Sequence, residues 1–275
     1  MRPHLQGIDH VVILVRDLDK AQQVYARMGF TLTPRGFHTL GSQNHCLMFG
    51  RDYLELLAVP KPHPATQYFT DFLAKGEGLG AIALATDDAG GLYANLAADG
   101  VAADAPLDFS RPVESLGDAC FRIVQLPTDA SPGCRMFACQ HFTRELVWRP
   151  EVQRHANGAT QLAAVAVVAE DPEAAAASYG KLLAAKPQKI EEGLLVQTGS
   201  APIALASRWK LGHRLHGVGL PLRPRPLVAA VFIRVADRKA TAALLHRNGL
   251  QPVALGDGSF AVSAQDAHGV AVVFG

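Results

Sequence analysis

Gly7-Ile8-Asp9-His10-Val11-Val12-Ile13-Leu14-Val15 is a short apolar stretch of strand character with one histidine inside it. Asp17-Leu18-Asp19 follows and offers N-cap residues for a helix. Within that helix Ala21, Val24, Tyr25 and Met28 form one apolar stripe at i, i+3, i+4 and i+7. Gly29 stands where the helix should end, in the position that favours a positive φ. Beyond it the sequence predicts a returning strand over Phe30–Leu32 and a polar loop through Pro34, Gly36, His38, Gly41 and Asn44. Two further strands are expected at His45–Phe49 and Tyr53–Val59. The unit reads βαβββ.

The same pattern returns three times. Ala81-Ile82-Ala83-Leu84-Ala85-Thr86-Asp87-Asp88 matches His10 to Asp17 in character. Ala164 to Asp171 and Ala230 to Asp237 do so again, and Tyr179 falls where Tyr25 falls. From His10 to Gly29 is 19 residues, and the same count separates Ala81 from Gly100 and Ala230 from Gly249; the third copy has Leu183 at that place. Fixed spacing of this kind is the signature of a repeated supersecondary unit. Each later copy has alanine where the first has His10, so the unit packs without an imidazole there.

Composition bounds the reading. The chain has 275 residues, 49% hydrophobic and 19% charged, with a formal net charge of +1. That is enough for two ordinary domains with a substantial core. Scattered basic residues give no concentrated field for nucleic acid or an anionic membrane. No apolar window is long enough to span a bilayer, and the N-terminus runs straight into the first strand, leaving no room for a signal peptide. Cys46, Cys120, Cys134 and Cys139 lack C-x-x-C spacing and read as reduced thiols of a cytoplasmic protein. The polar segment 149–158 is the natural boundary between a domain over 1–150 and another over 159–275. A second irregular stretch, 209–226, is long enough to have structure of its own, as a lid or surface loop.

Four βαβββ modules, the opening Gly7-Ile8-Asp9-His10-Val11-Val12 and the strand Tyr53-Leu54-Glu55-Leu56-Leu57 together resemble the vicinal oxygen chelate superfamily. That group includes glyoxalase I, extradiol dioxygenases, methylmalonyl-CoA epimerase and bleomycin-resistance proteins. More narrowly, the run from Gln140 to Glu151 is similar to a stretch of glyoxalase-like domain proteins. The resemblance implies an α+β fold in which modules pair into two half-open mixed β-barrels with helices outside. It also implies metal ligands on first and last strands: His10, Glu55 and His141, with Ala81 in the place of a fourth. Such a set suits Fe, Zn, Mn or Ni.

The residues speak for themselves as well. By strict alternation Ile8, His10, Val12 and Leu14 share a face, as do Tyr53, Glu55 and Leu57. Glu55 is a carboxylate between leucines, and burying it calls for a cation, a donor or a proton. Whether His141 or Gln140 faces inward depends on a register that one residue would reverse. Glu55 is the candidate catalytic group; His38, Asn44 and Tyr53 are candidate substrate contacts, with His45 beside them, although His38, Asn44 and His45 also suit plain loop roles. Cys139 reads as a small buried hydrophobe, and Trp148 with Arg149 as a staple for the module-two tail. No nucleophile elbow, phosphate loop or H-E-x-x-H helix occurs. The second pair of modules lacks the ligand residues and is expected to be a structural half, available to close over the first or to form a homodimer. The expectation is a divalent-metal enzyme of isomerase, lyase or dioxygenase type acting on a small organic substrate. The alternative is a metal-free protein that sequesters a small molecule.

Overall fold

The computed structural model describes residues 2–223 and 226–275. In the first module strand β1 (Leu5–Leu14) leads to helix α1 (Leu18–Arg27), and β2 (Gly36–Phe37), β3 (Gln43–Met48) and β4 (Tyr53–Ala58) complete it. Helix α2 (Gln67–Lys75) connects to the second module: β5 (Gly78–Thr86), α3 (Ala89–Ala98), β6 (Leu107–Val113), β7 (Gly117–Gln125) and β8 (Arg135–His141). The third comprises β9 (Ala159–Val168), α4 (Pro172–Leu183), β10 (Gln188–Ile190), β11 (Gly193–Val196) and β12 (Ile203–Ala206). Helix α5 (Arg208–Arg214) follows, then β13 (Leu227–Val235), α6 (Arg238–Arg247), β14 (Val253–Ala254), β15 (Phe260–Val262) and β16 (Ala271–Phe274).

These strands form two eight-stranded mixed sheets, ordered β2-β3-β4-β1-β5-β8-β7-β6 and β10-β11-β12-β9-β13-β16-β15-β14. The first strands of paired modules run antiparallel at each sheet's centre, and each has its own module's last strand parallel beside it. The expected α+β architecture of four modules in two curved sheets is what the chain adopts. The aspartates that recur after each first strand explain why a helix restarts there. Asp17, Asp88, Asp171 and Asp237 each accept a backbone N–H of the first turn, from Lys20, Gly91, Ala174 and Ala240.

One irregularity recurs at the same place in all four modules. On β1 the partner register jumps between Ile8 and His10, so Asp9 and His10 together oppose one residue of β5. The equivalent jumps fall at Gly80–Ala81, Ala163–Ala164 and Ala229–Ala230. These are β-bulges, which break alternation and re-aim side chains. The face expected for β1 is therefore corrected. Val12 and Leu14 point into the concave side, whereas Ile8 joins Val11, Ile13 and Val15 on the convex side.

The convex faces of both sheets and the helices α1 and α4 share one continuous core. Tyr25 of α1 donates its hydroxyl to the Ala267 carbonyl, and the equivalent Tyr179 of α4 donates to the Pro132 carbonyl. Phe30 stacks on Phe274 across the same layer. The helices lie outside each barrel yet between the two halves. Gly7 belongs to this seam: at φ +113° it lets Ser200 approach, whose hydroxyl accepts the Ile8 N–H at 2.7 Å, while a Cβ there would sit 2.5 Å from that oxygen.

Two segments differ from expectation. Phe30–Leu32 forms no strand, because its backbone is engaged elsewhere: Phe30 N–H caps α1 at Tyr25, and Thr31 N–H donates to His155. The unforeseen α2 places Phe69, Phe72 and Leu73 against the first sheet's concave face. Its counterpart α5 opens one residue before the irregular stretch 209–226 and occupies its first part; Pro224 and Arg225 of that stretch fall outside the described residues. Leu211, Leu215 and Val218 fill the concave face of the second sheet over Ala166, Ala229 and Ala230.

Candidate functional site

The concave face of the first sheet is not filled. It encloses a cavity of about 690 Å³ of atom-free space, partly open to solvent, walled by Leu57, Phe69, Phe109, Phe121, Ile123 and Phe137. Its polar lining comes from His10, His38, Ser42, Asn44, Tyr53, Glu55 and Arg111. The bulge puts both Asp9 and His10 on this side. Asp9 is completely enclosed and, as a carboxylate, can only accept. His10 Nδ1–H donates to its Oδ2 at 2.7 Å, and His141 Nε2–H donates to the same oxygen at 2.9 Å. Burial pushes the Asp9 carboxyl up, but the His141 charge and the two imidazole hydrogen bonds outweigh it and hold it well below the usual carboxylate range.

With Nδ1 fixed by Asp9, the other nitrogen of His10 looks at Glu55. Nε2 lies 3.5 Å from Glu55 Oε2, both groups being buried. The imidazole stacks on Tyr53, with ring centroids 4.4 Å apart, and meets Phe137 edge-on. Asn44 Nδ2 donates to Glu55 Oε1 at 2.5 Å, so this amide positions Glu55 rather than facing the cavity freely. His38 sits on the same wall, its Nδ1 on Ser42 Oγ at 2.8 Å and its Nε2 4.0 Å from Glu55 Oε1. Burial, against the pull of Glu55, lowers the His38 pKa to about 4, and the ring is neutral at pH 7. Cys46, pushed up to about 12 by burial and then by Glu55, is an inert thiol there.

The other expected residues divide plainly. His141, not Gln140, turns inward, but it joins Asp9 instead of His10 Nε2 and Glu55; Gln140 caps α3 by accepting the Ala89 N–H. His45 points to the opposite face of β3, onto the Thr33 carbonyl. Trp148 packs edge-on against Tyr53 and His141, under the Arg144 guanidinium. Two important residues were not anticipated, Asp9 and Arg111. The signal for Asp9 was its adjacency to His10: two neighbouring polar residues in a buried strand cannot both face one side without a bulge. Arg111, far along the chain on β6, carried no local signal.

The donors fit a divalent cation in part. With Nδ1 turned to Asp9, the ring of His10 directs Nε2 at the Glu55 oxygen. An imidazole nitrogen and a carboxylate oxygen 3.5 Å apart in a buried site call for a proton or a cation between them. An imidazole whose far nitrogen is held by a carboxylate is also the usual support of a metal ligand. A second group, Asp9, Cys139 and His141, brings ligand atoms within 4.8 Å of one another, and Asp9 Oδ1 and His141 Nδ1 are buried there without hydrogen-bond partners. Burial and the nearby Asp9 and Glu55 charges raise the Cys139 thiol far above its ordinary range, so it is a poor thiolate donor.

Paired βαβββ modules around a histidine- and carboxylate-lined cavity define a protein of the vicinal oxygen chelate superfamily. Within it, the chain belongs to the glyoxalase-like domain family, whose sequence model matches residues 8–183. Among solved structures, the chain is similar to a hypothetical protein from Staphylococcus aureus, at 13% identity and a TM-score of 0.68, covering 98% of both chains. It is also similar to a triple mutant of 4-hydroxymandelate synthase from Streptomyces coelicolor (13% identity, TM-score 0.64, covering 100% of this chain and 92% of that one). A third likeness is to a fusion of a xylose isomerase-like TIM barrel with 4-hydroxyphenylpyruvate dioxygenase, at 12% identity and a TM-score of 0.61, covering all of this chain and 49% of that one. At these identities the likeness is one of fold. No curated protein matches the chain in sequence. Among the described residues, no helix is long and apolar enough to cross a membrane.

Proposed function

We propose that the cavity of the N-terminal half is the active site of a divalent-metal-dependent enzyme acting on a small, oxygen-bearing organic substrate. The observation that carries this reading is the approach of His10 Nε2 to Glu55 Oε2, with the opposite nitrogen of His10 tied to buried Asp9. His10 and Glu55 would hold the ion. When bound, the ion would act as a Lewis acid toward negative charge developing on a substrate oxygen. The chain's own residues do the rest. Asp9 fixes the tautomer and direction of His10. Asn44 holds one Glu55 oxygen and leaves the other for the site. Tyr53 and Phe137 clamp the imidazole, and neutral His38 offers a hydrogen bond to bound substrate without adding charge. The aromatic walls exclude water and strengthen each of these interactions.

A second reading, a metal-free binding protein, is favoured by one feature: His141 is drawn to Asp9, which leaves two cavity-facing ligands where catalytic sites commonly have three. Elemental analysis of protein purified without chelators separates the two. About one equivalent of metal is expected in the wild type and in Cys139→Ala, and none in the His10→Ala/Glu55→Ala double variant. Equal metal content in the wild type and the double variant would sink the metalloenzyme reading. Loss of metal in Cys139→Ala would move the ion to the Asp9–Cys139–His141 group.

A further inference from the structure

On the wall of the same cavity stands a cation that has no counter-ion among the described residues. Arg111, on β6, is 7% exposed and lines the cavity beside Phe109, Phe121 and His38. No carboxylate among the described residues lies within 4.0 Å of its guanidinium, and it makes no hydrogen bond to them. Its stem is held by the chain instead. Gly36, on the neighbouring β2, leaves room for it, since a Cβ there would lie 3.1 Å from Arg111 Cδ and 3.4 Å from a terminal nitrogen. The groups around it are engaged elsewhere: His38 Nδ1 lies on Ser42 Oγ, and Glu55 is held by Asn44 and faces His10. A buried guanidinium is costly unless something pairs with it, and its planar fork matches a carboxylate.

We propose that Arg111 is the anchor for a carboxylate on the substrate, and that the ligand is a monoanion with an aromatic or apolar body. The carboxylate pairs with Arg111, the body lies against Phe109, Phe121 and Phe69, and the far end presents its oxygens to His10 and Glu55. One guanidinium between aromatic walls matches one negative charge; a phosphate dianion would leave a charge unpaired. The substrate class rests on the active-site reading above, whereas the anion site itself stands on Arg111 alone.

Calorimetric titration of the full-length wild type, Arg111→Gln and Arg111→Lys with benzoate, phenylacetate and phenylpyruvate tests the proposal. The neutral amides of the first two, together with phenyl phosphate, complete the set. At least one of the acids should bind the wild type roughly tenfold or more tighter than its amide or phenyl phosphate, because a built polar site discriminates strongly against an analogue lacking the matching group. Arg111→Gln should lose that preference and Arg111→Lys should retain part of it. Thermal melts give a second readout that needs no affinity limit. The Gln variant should melt at or above the ligand-free wild type, and saturating acid should raise the melting temperature of the wild type but not of the Gln variant. No acid preference in the wild type, or an equal preference in Arg111→Gln, overturns the proposal. The metal analysis is independent: carboxylate binding through Arg111 in a protein without metal would keep the anchor and discard the metalloenzyme, and metal without carboxylate binding would do the reverse.

Discussion

Asp9 receives both imidazoles with one oxygen, so removing its charge should be felt at once in the site and in the fold. Asp9→Asn can no longer accept both hydrogen bonds freely, and its amide N–H groups face donors. Loss of a carboxylate behind a metal ligand typically costs 10–100-fold in metal affinity, and that range is expected in a competition titration against a chelating dye. Breaking a buried charge pair should also lower the unfolding free energy by about 3 kcal/mol. Asp52 behaves in the opposite sense. It is buried at the seam, where Oδ1 accepts the Leu162 N–H at 2.8 Å, and burial raises its pKa from 3.8 to about 7, the Leu162 hydrogen bond pulling the other way. Its native-state stabilisation is full below pH 3.8 and is lost as pH rises toward 7. Asp52→Asn should therefore be more stable than the wild type at pH 8, by ~2–4 kcal/mol, with the difference vanishing near pH 4. Denaturant curves at the two pH values decide this; an equal gain at both would refute it. Glu55 and His10 were legible as polar exceptions in apolar strands. The support behind them was less so: Asp9 stood beside His10 unremarked, and its contact with His141 across 132 residues leaves no spacing to read.

At the scale of elements, the four aspartate caps are interchangeable in role and differ in place. Asp171 caps α4 on the half without the cavity. Asp171→Ala should cost about 1 kcal/mol in urea unfolding while leaving metal content unchanged. A larger loss, or an altered metal content, would mean that α4 does more than pack. Repeat spacing made the helices and central strands readable, since period and punctuation are local. Period-2 reasoning failed on β1, where the bulge moved Ile8 to the convex face, and on Phe30–Leu32, whose hydrogen bonds go to α1 and His155. The helix α2 was overlooked although Tyr68 with Phe72 and Phe69 with Leu73 are spaced i, i+4 behind Pro64.

Taken whole, the molecule has α1 and α4 where its two halves meet. Tyr25 and Tyr179 exchange hydrogen bonds across that layer, each reaching the other half. Arg2 and Asn157 add further bonds across it, to Leu182 and Met28. A shared core of this kind should melt as one unit. Calorimetry is expected to show a single transition with calorimetric and van't Hoff enthalpies agreeing, and Tyr25→Phe and Tyr179→Phe should each lower stability by about 1 kcal/mol without splitting it. Two resolved transitions would make the halves independent domains. The sequence showed the two pairs but not the layer between them, because apolar periodicity tells which face is buried and never against what. The recurring bulge has a last consequence, for ancestry. Duplication copied a bracket that displays two adjacent side chains on the concave face, yet only the first copy is furnished, with Asp9 and His10; the others hold Gly80–Ala81, Ala163–Ala164 and Ala229–Ala230. Backbone shape recurs where the side chains do not, and in the last copy Leu211, Leu215 and Val218 cover the alanines. Ala81, in register with Val12 on the strand beside His10, is the position from which a second histidine would restore symmetry to the centre.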